Sequence, residues 1–145
     1  MDQGSDLYTQ ARDDLQAIVG PLFEFAEQQV QKRNAFLPFG ASLDSKGVSM
    51  AAADIGSDRA TSEEVLPLLH DGLRSVRPDT RAIAVCEWVT ITPADGSPTD
   101  AIKVLVEHAN GLTVAFCLPM RKKTLGKWQS GEMISVAADP EVKPW

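Results

Sequence analysis

The chain reads as an α+β fold. It predicts an antiparallel sheet of five or six strands with two main helices on one face, in the order α-β-β-α-β-β-β, with an optional extra C-terminal strand. Three observations carry this. Two segments, 5–33 and 61–76, repeat apolar residues at three- and four-residue spacing. Three others, 81–92, 100–109 and 112–119, are dense apolar runs of strand length. Two of the breaks between strands are two or four residues long, which joins neighbours antiparallel.

In residues 5–33 the apolar stripe is Leu7, Ala11, Leu15, Ile18, Leu22, Phe25 and Val30, and Ser5 or Asp6 caps the start. Gly20-Pro21 interrupts it, because proline lacks a backbone donor and crowds the preceding turn. A kink there and a break into two helices both fit. Residues 35–55 alternate as a hairpin around the turn Asp44-Ser45-Lys46-Gly47. Pro38 cannot donate to a ladder, so the first strand is expected at the sheet edge. Thr61 followed by Glu64 is a capping box for the second helix, whose stripe is Leu66, Leu69, Leu73 and Val76.

Residues 81–92 are apolar on both faces, as a central strand is. Asn110-Gly111 between two apolar runs is the preferred two-residue hairpin turn. That turn would set His108 opposite Thr113, Val106 opposite Ala115 and Val104 opposite Cys117 on one face. Residues 120–130 read as a basic loop, 131–138 as a last strand and 139–145 as a flexible tail. One globular domain, 1–145, accounts for the whole chain.

With 145 residues, an apolar share of 43% and a charged share of 23%, the composition is that of an ordinary globular domain. It excludes a collagen, a disordered chain and a disulfide scaffold. Twenty acids against fourteen bases give a formal charge of −6. That sign disfavours nucleic acid and anionic membranes as partners and allows electrostatic steering towards another protein. Residues 1–64 carry the whole excess of acid, whereas the remainder is neutral and gathers Arg121, Lys122, Lys123 and Lys127 in one stretch. With no signal-peptide pattern, Cys86 and Cys117 are expected as reduced thiols in a cytoplasmic, bacterial setting.

The chain carries no phosphate loop, dinucleotide fingerprint, nucleophile elbow, metalloprotease helix or paired-cysteine motif. No catalytic, cofactor-binding or metal-ligating set is assigned, and no cofactor is expected. Glu87 and Glu107 lie in phase with apolar neighbours, where burial raises a carboxyl pKa and suits it to acid catalysis. His108 stands beside Glu107 in sequence, but successive strand residues face opposite ways. The candidate partner-binding residues are Arg121, Lys122, Lys123, Lys127 and Trp128 in the basic stretch, Asp13 and Asp14 in the acidic helix, and Phe36 and Phe39 beside Pro38.

These features point to a non-enzymatic protein-binding module, of the adaptor or immunity-protein kind, with another protein as partner. The alternatives are a homo-oligomeric structural protein, in the simplest case a homodimer, and a small enzyme or ligand binder with a pocket near Glu87, Glu107 and His108.

Overall fold

The computed structural model describes residues 3–52, 60–94 and 96–145, with side chains from Thr9 onward in the first helix. Two helices, α1 (Gln3–Arg33) and α2 (Ser62–Leu73), accompany seven strands. The strands are β1 (Phe39–Asp44), β2 (Gly47–Ala51), β3 (Ala82–Ile91), β4 (Thr99–His108), β5 (Thr113–Lys122), β6 (Trp128–Ser130) and β7 (Ile134–Ala137). All form one antiparallel sheet in the order β2-β1-β3-β4-β5-β6, and β7 pairs with the other end of β5. The α+β class and the element order agree with the sequence reading. None of the helices is long and apolar enough to cross a membrane.

The two helices lie on opposite faces, where one face was expected for both. The α1 face buries Ile18, Leu22 and Val30 against Ala82, Ala84, Cys86, Val104 and Val106. The α2 face buries Leu69 and Leu73 against Ile83 and Val85. A strand whose two faces are both apolar must be covered on both sides. From Ala82 to Cys86 β3 is buried on both faces, so one helix goes to each face.

α1 runs unbroken through Pro21. Pro21 leaves the Ala17 carbonyl without its intrahelical donor. Both residues are exposed, so the carbonyl is open to solvent and the break costs little. The buried stripe is Ala11, Leu15, Ile18, Leu22, Phe23, Ala26 and Val30, and Phe25 stays 42% exposed. Leu7 falls outside the described side chains, and the expected cap at Ser5 or Asp6 is corrected, because α1 is already helical from Gln3. In α2, Thr61 is the N-cap and its hydroxyl accepts from the Glu64 amide at 3.3 Å.

Three strand expectations are corrected. β1 is an interior strand between β2 and β3, because Pro38 ends just before its ladder begins. The edge is β2, and the expected return of its strand to Ile55 lies partly outside the described residues. The stretch 120–130 is not all loop, since Arg121 and Lys122 extend β5 and pair with Gln129 and Trp128 of β6. The Asn110-Gly111 hairpin has a longer loop than two residues. Gly111 donates to the His108 carbonyl at 2.9 Å and His108 donates to that of Leu112 at 2.8 Å. Only Gly111, at φ 98°, takes the left-handed region there, as a type I turn closed by a glycine bulge requires.

The extra loop residue shifts the pairing by one, to Glu107 opposite Thr113 and Val106 opposite Val114. Val104 therefore shares its face with Phe116 and not with Cys117. Residues 139–145, expected as a flexible tail, form a strap across the α2 face. Val142 is fully buried there with Leu69, Leu73, Ile83 and Val85.

Candidate functional site

A groove of about 680 Å³ opens where the end of α1, the segment leading into β1 and the start of α2 meet. α1 contributes Phe25, Gln29 and Arg33, spaced four apart and so aligned along one helix face. Asn34 ends the helix in the left-handed region at φ 65°, and its amide donates to the Val30 carbonyl at 2.9 Å. The chain then turns back as Phe36-Leu37-Pro38 to form one wall, facing Thr61, Ser62 and Val65 of the other. Phe39 and Trp88 lie beneath.

The aromatic rings form a chain of contacts. Phe25 packs edge-on against Phe39 at 5.0 Å, Phe36 sits 5.6 Å from Phe39 and 6.0 Å from Trp88, and Trp88 meets Trp128 at 5.3 Å. Phe39 is spent on the core, whereas Phe25 and Leu37 remain 42% and 45% exposed on the rim. Arg33 is the one charged residue lining the groove among the described residues.

Trp128 joins the basic stretch to this end of α1. Its backbone exchanges two hydrogen bonds with the Gln31 side-chain amide, at 2.7 and 3.0 Å, and its indole donates to Asn34 Oδ1 at 3.0 Å. Trp128 is thus a half-buried strut with its donor engaged. Arg121, Lys122, Lys123 and Lys127 are exposed around the β5–β6 turn, which the Lys123 amide closes on the Lys127 carbonyl at 2.7 Å. Lys32 and Arg33 end α1 beside it. The bases are far apart in sequence and gather at one end of the molecule in the fold.

The acidic candidates separate. Asp13 is exposed. Asp14 is buried, 2.8 Å from His108 Nε2 and 3.2 Å from Arg81 Nε, and is not presented to a partner. Burial pulls the Asp14 carboxyl up, but the hydrogen bonds from His108 and Arg81, with the Arg81 charge, outweigh it and hold it below the usual carboxylate range. His108 Nδ1 accepts from the Asn110 amide at 3.2 Å, which assigns the ring proton to Nε2, facing Asp14.

Glu107 accepts from the amides of Glu141, Val142 and Lys143 at 3.3, 2.8 and 2.8 Å, so it clasps the strap. Glu87 shares that face, opposite Lys103. Burial pushes the Glu87 carboxyl up against the pull of Lys103. Ile83 is the residue opposite Glu107, so four residues separate the two carboxylates along the sheet, about 13 Å at strand rise. His108 faces the other side. The three groups are not brought to one place. Burial also pushes up the Cys86 and Cys117 thiols, the reverse of an activated cysteine. Among the described residues, no group of three His, Cys, Asp or Glu could hold a metal ion.

Phe25, Leu37 and Trp88 were missed as site residues. Phe25 sits within the helical stripe by spacing. However, the i, i+4 ridge from Leu22 through Ala26 to Val30 turns the buried face away from it and towards Phe23. The exposed ring of Phe25 beside Leu37 is visible only once the chain has turned back at Asn34. No protein-family model, no curated protein and no solved structure matches this chain.

Proposed function

We propose that this protein is a binding module that takes an acidic, apolar-bearing segment of another protein in the groove between α1, the 34–39 segment and α2. The observation that carries this reading is the aromatic-lined groove with two large apolar side chains left on its rim and Arg33 as its charged lining residue. Apolar anchors in a concave site supply affinity, and surrounding cations select the sign of the partner. Lys32, Lys122, Lys123 and Lys127 at the same end of the molecule extend that field. Two of the three groups weighed for catalysis have structural work to do, which favours binding over chemistry: Glu107 holds the strap, and His108 bridges Asp14 and the hairpin turn.

A random-peptide display selection against the full chain tests this. The expected result is enrichment of sequences that place Leu, Phe or Trp next to Asp or Glu. Leu37→Asp and Arg33→Glu both alter exposed side chains, so folding is retained. Each should weaken the selected peptide about tenfold or more, the scale of one lost interface anchor. Selection of no peptide, or of peptides indifferent to both substitutions, overturns the reading.

A further inference from the structure

We infer that the outer edge of β7 pairs antiparallel with the β7 edge of a second copy of this chain, about a two-fold axis through Ser135. β7 completes one side of the sheet and, among the described residues, pairs only with β5. Its residues Ile134, Ser135, Val136 and Ala137 are all exposed. An open row of backbone donors and acceptors is a template for another strand. Edge strands are usually blunted by lysine, proline or an inward charge. Residues 133–137, Met-Ile-Ser-Val-Ala, contain none of these.

The hydrogen-bond phase selects the register. The Ala138 amide donates inward to the Thr113 carbonyl at 3.1 Å. Alternation along the strand turns the Val136 and Ile134 amides towards β5, and the Ser135 and Ala137 amides outward. A two-fold axis at Ser135 makes Ser135 and its symmetry mate a reciprocal hydrogen-bonded pair. Ala137 then bonds with Met133 of the other copy. Ile134 falls opposite Val136 in a non-hydrogen-bonded pair, where side chains approach most closely. These two are 39% and 52% exposed in the single chain. The same register sets Glu132 opposite Ala138, so no like charges stand directly opposite within it. The segment is complementary to itself, which identifies the occupant as a second copy.

So short an edge covers less than the roughly 800 Å² per partner of a standard interface, and the dimer is expected to dissociate in the micromolar range. Light scattering of the full chain over a concentration series reads this directly, starting from the 15.7 kDa monomer. The expected result is a mass that doubles as concentration rises. Ser135→Pro removes only an outward donor and leaves the β5 ladder intact. It should weaken association about tenfold or more, through loss of the reciprocal pair at the axis. Ile134→Lys, which alters an exposed side chain, should do the same and stands in if the proline variant does not fold. Met50→Lys on the opposite edge, β2, should leave the dimer unchanged. A monomer mass at every concentration overturns the inference. So does a dimer that survives both β7 substitutions, or one that Met50→Lys abolishes. Peptide binding in the groove is independent of this edge and is retained by Ser135→Pro, so the two proposals fail separately.

Discussion

The two faces of the sheet are stabilised by different means. On one, a 31-residue helix lays a long apolar stripe across β1, β3, β4 and β5, and the largest fully buried side chains there include Ile18, Leu22, Ile102 and Met120. On the other, a 12-residue helix contributes Leu69 and Leu73, and the strap adds Val142. That smaller cluster is completed by directed bonds. Glu107 holds three successive strap amides, and Arg74 Nε donates to the Val142 carbonyl at 2.8 Å. Apolar area is forgiving of small shifts, whereas a carboxylate gripping three N–H groups works in one geometry only. The α1 face is therefore expected to set global stability, and the α2 face to open locally first.

The largest break in this comparison is Gly40→Ala. A Cβ at Gly40 would stand 2.5 Å from the Ala84 carbonyl oxygen and 3.1 Å from Leu73 Cδ1. The first contact is with backbone in the central ladder, which cannot move aside. The substitution should cost about 3 kcal/mol, the upper end for overpacking. Urea unfolding followed by Trp fluorescence measures it, and a loss below about 0.5 kcal/mol, the scale of a neutral surface change, would show that β1 does not lie this close to the Ala84 carbonyl of β3.

Glu107→Gln sharpens the contrast with less disruption. The side chain keeps its shape but offers one acceptor and one donor to a set of three donors. The expected cost is about 1–3 kcal/mol for unsatisfied buried groups, and it should be local. Hydrogen exchange should accelerate at Val142 and Lys143 while the α1 amides keep their protection. Uniform acceleration across both faces would mean that the strap and α1 open as one unit.

The elements of this division were readable in the sequence, but their placement was not. Apolar residues on both faces of 81–92 marked a central strand and Thr61-Glu64 marked the α2 start, yet both helices were expected on one face. Three features were not readable, each because it depends on contacts distant in sequence. Glu107 meets residues 141–143, Trp128 meets Gln31 and Asn34, and Asp14 meets Arg81 and His108. A tail with two prolines carries no periodicity to announce that Val142 fills a cavity. The shift at the Asn110-Gly111 hairpin has a different origin. The same dipeptide serves a two-residue turn and a type I turn with a glycine bulge, and only the backbone bond from Gly111 to His108 separates them. One residue of slip exchanges the faces of a whole strand, and with them the expected neighbours of Cys117.

The smallest expected effects come from pH, and they have opposite signs on the two faces. Asp14, on the buried side of α1, has its carboxyl held below the usual 3.8. A depressed acid stabilises the fold above its unfolded pKa and loses that contribution as pH falls through the folded value. Wild-type stability should therefore drop as pH falls below 3.8, a drop that Asp14→Asn lacks. Glu87, on the α2 face, has its carboxyl raised above 4.5. Ionising a raised acid destabilises the fold, so stability should decline as pH rises from 4.5 through the elevated value and then level off. Glu87→Gln removes that decline and should be more stable than wild type at neutral pH, with no gain in acid. Urea midpoints of the three proteins between about pH 3 and 8 resolve both limbs. If Asp14→Asn retains the acid drop, the clamp from α1 to Arg81 and His108 is not what acid releases. If Glu87→Gln is weaker at neutral pH, the Lys103 pairing outweighs burial, and the α2 face gains stability from a charge that now counts against it.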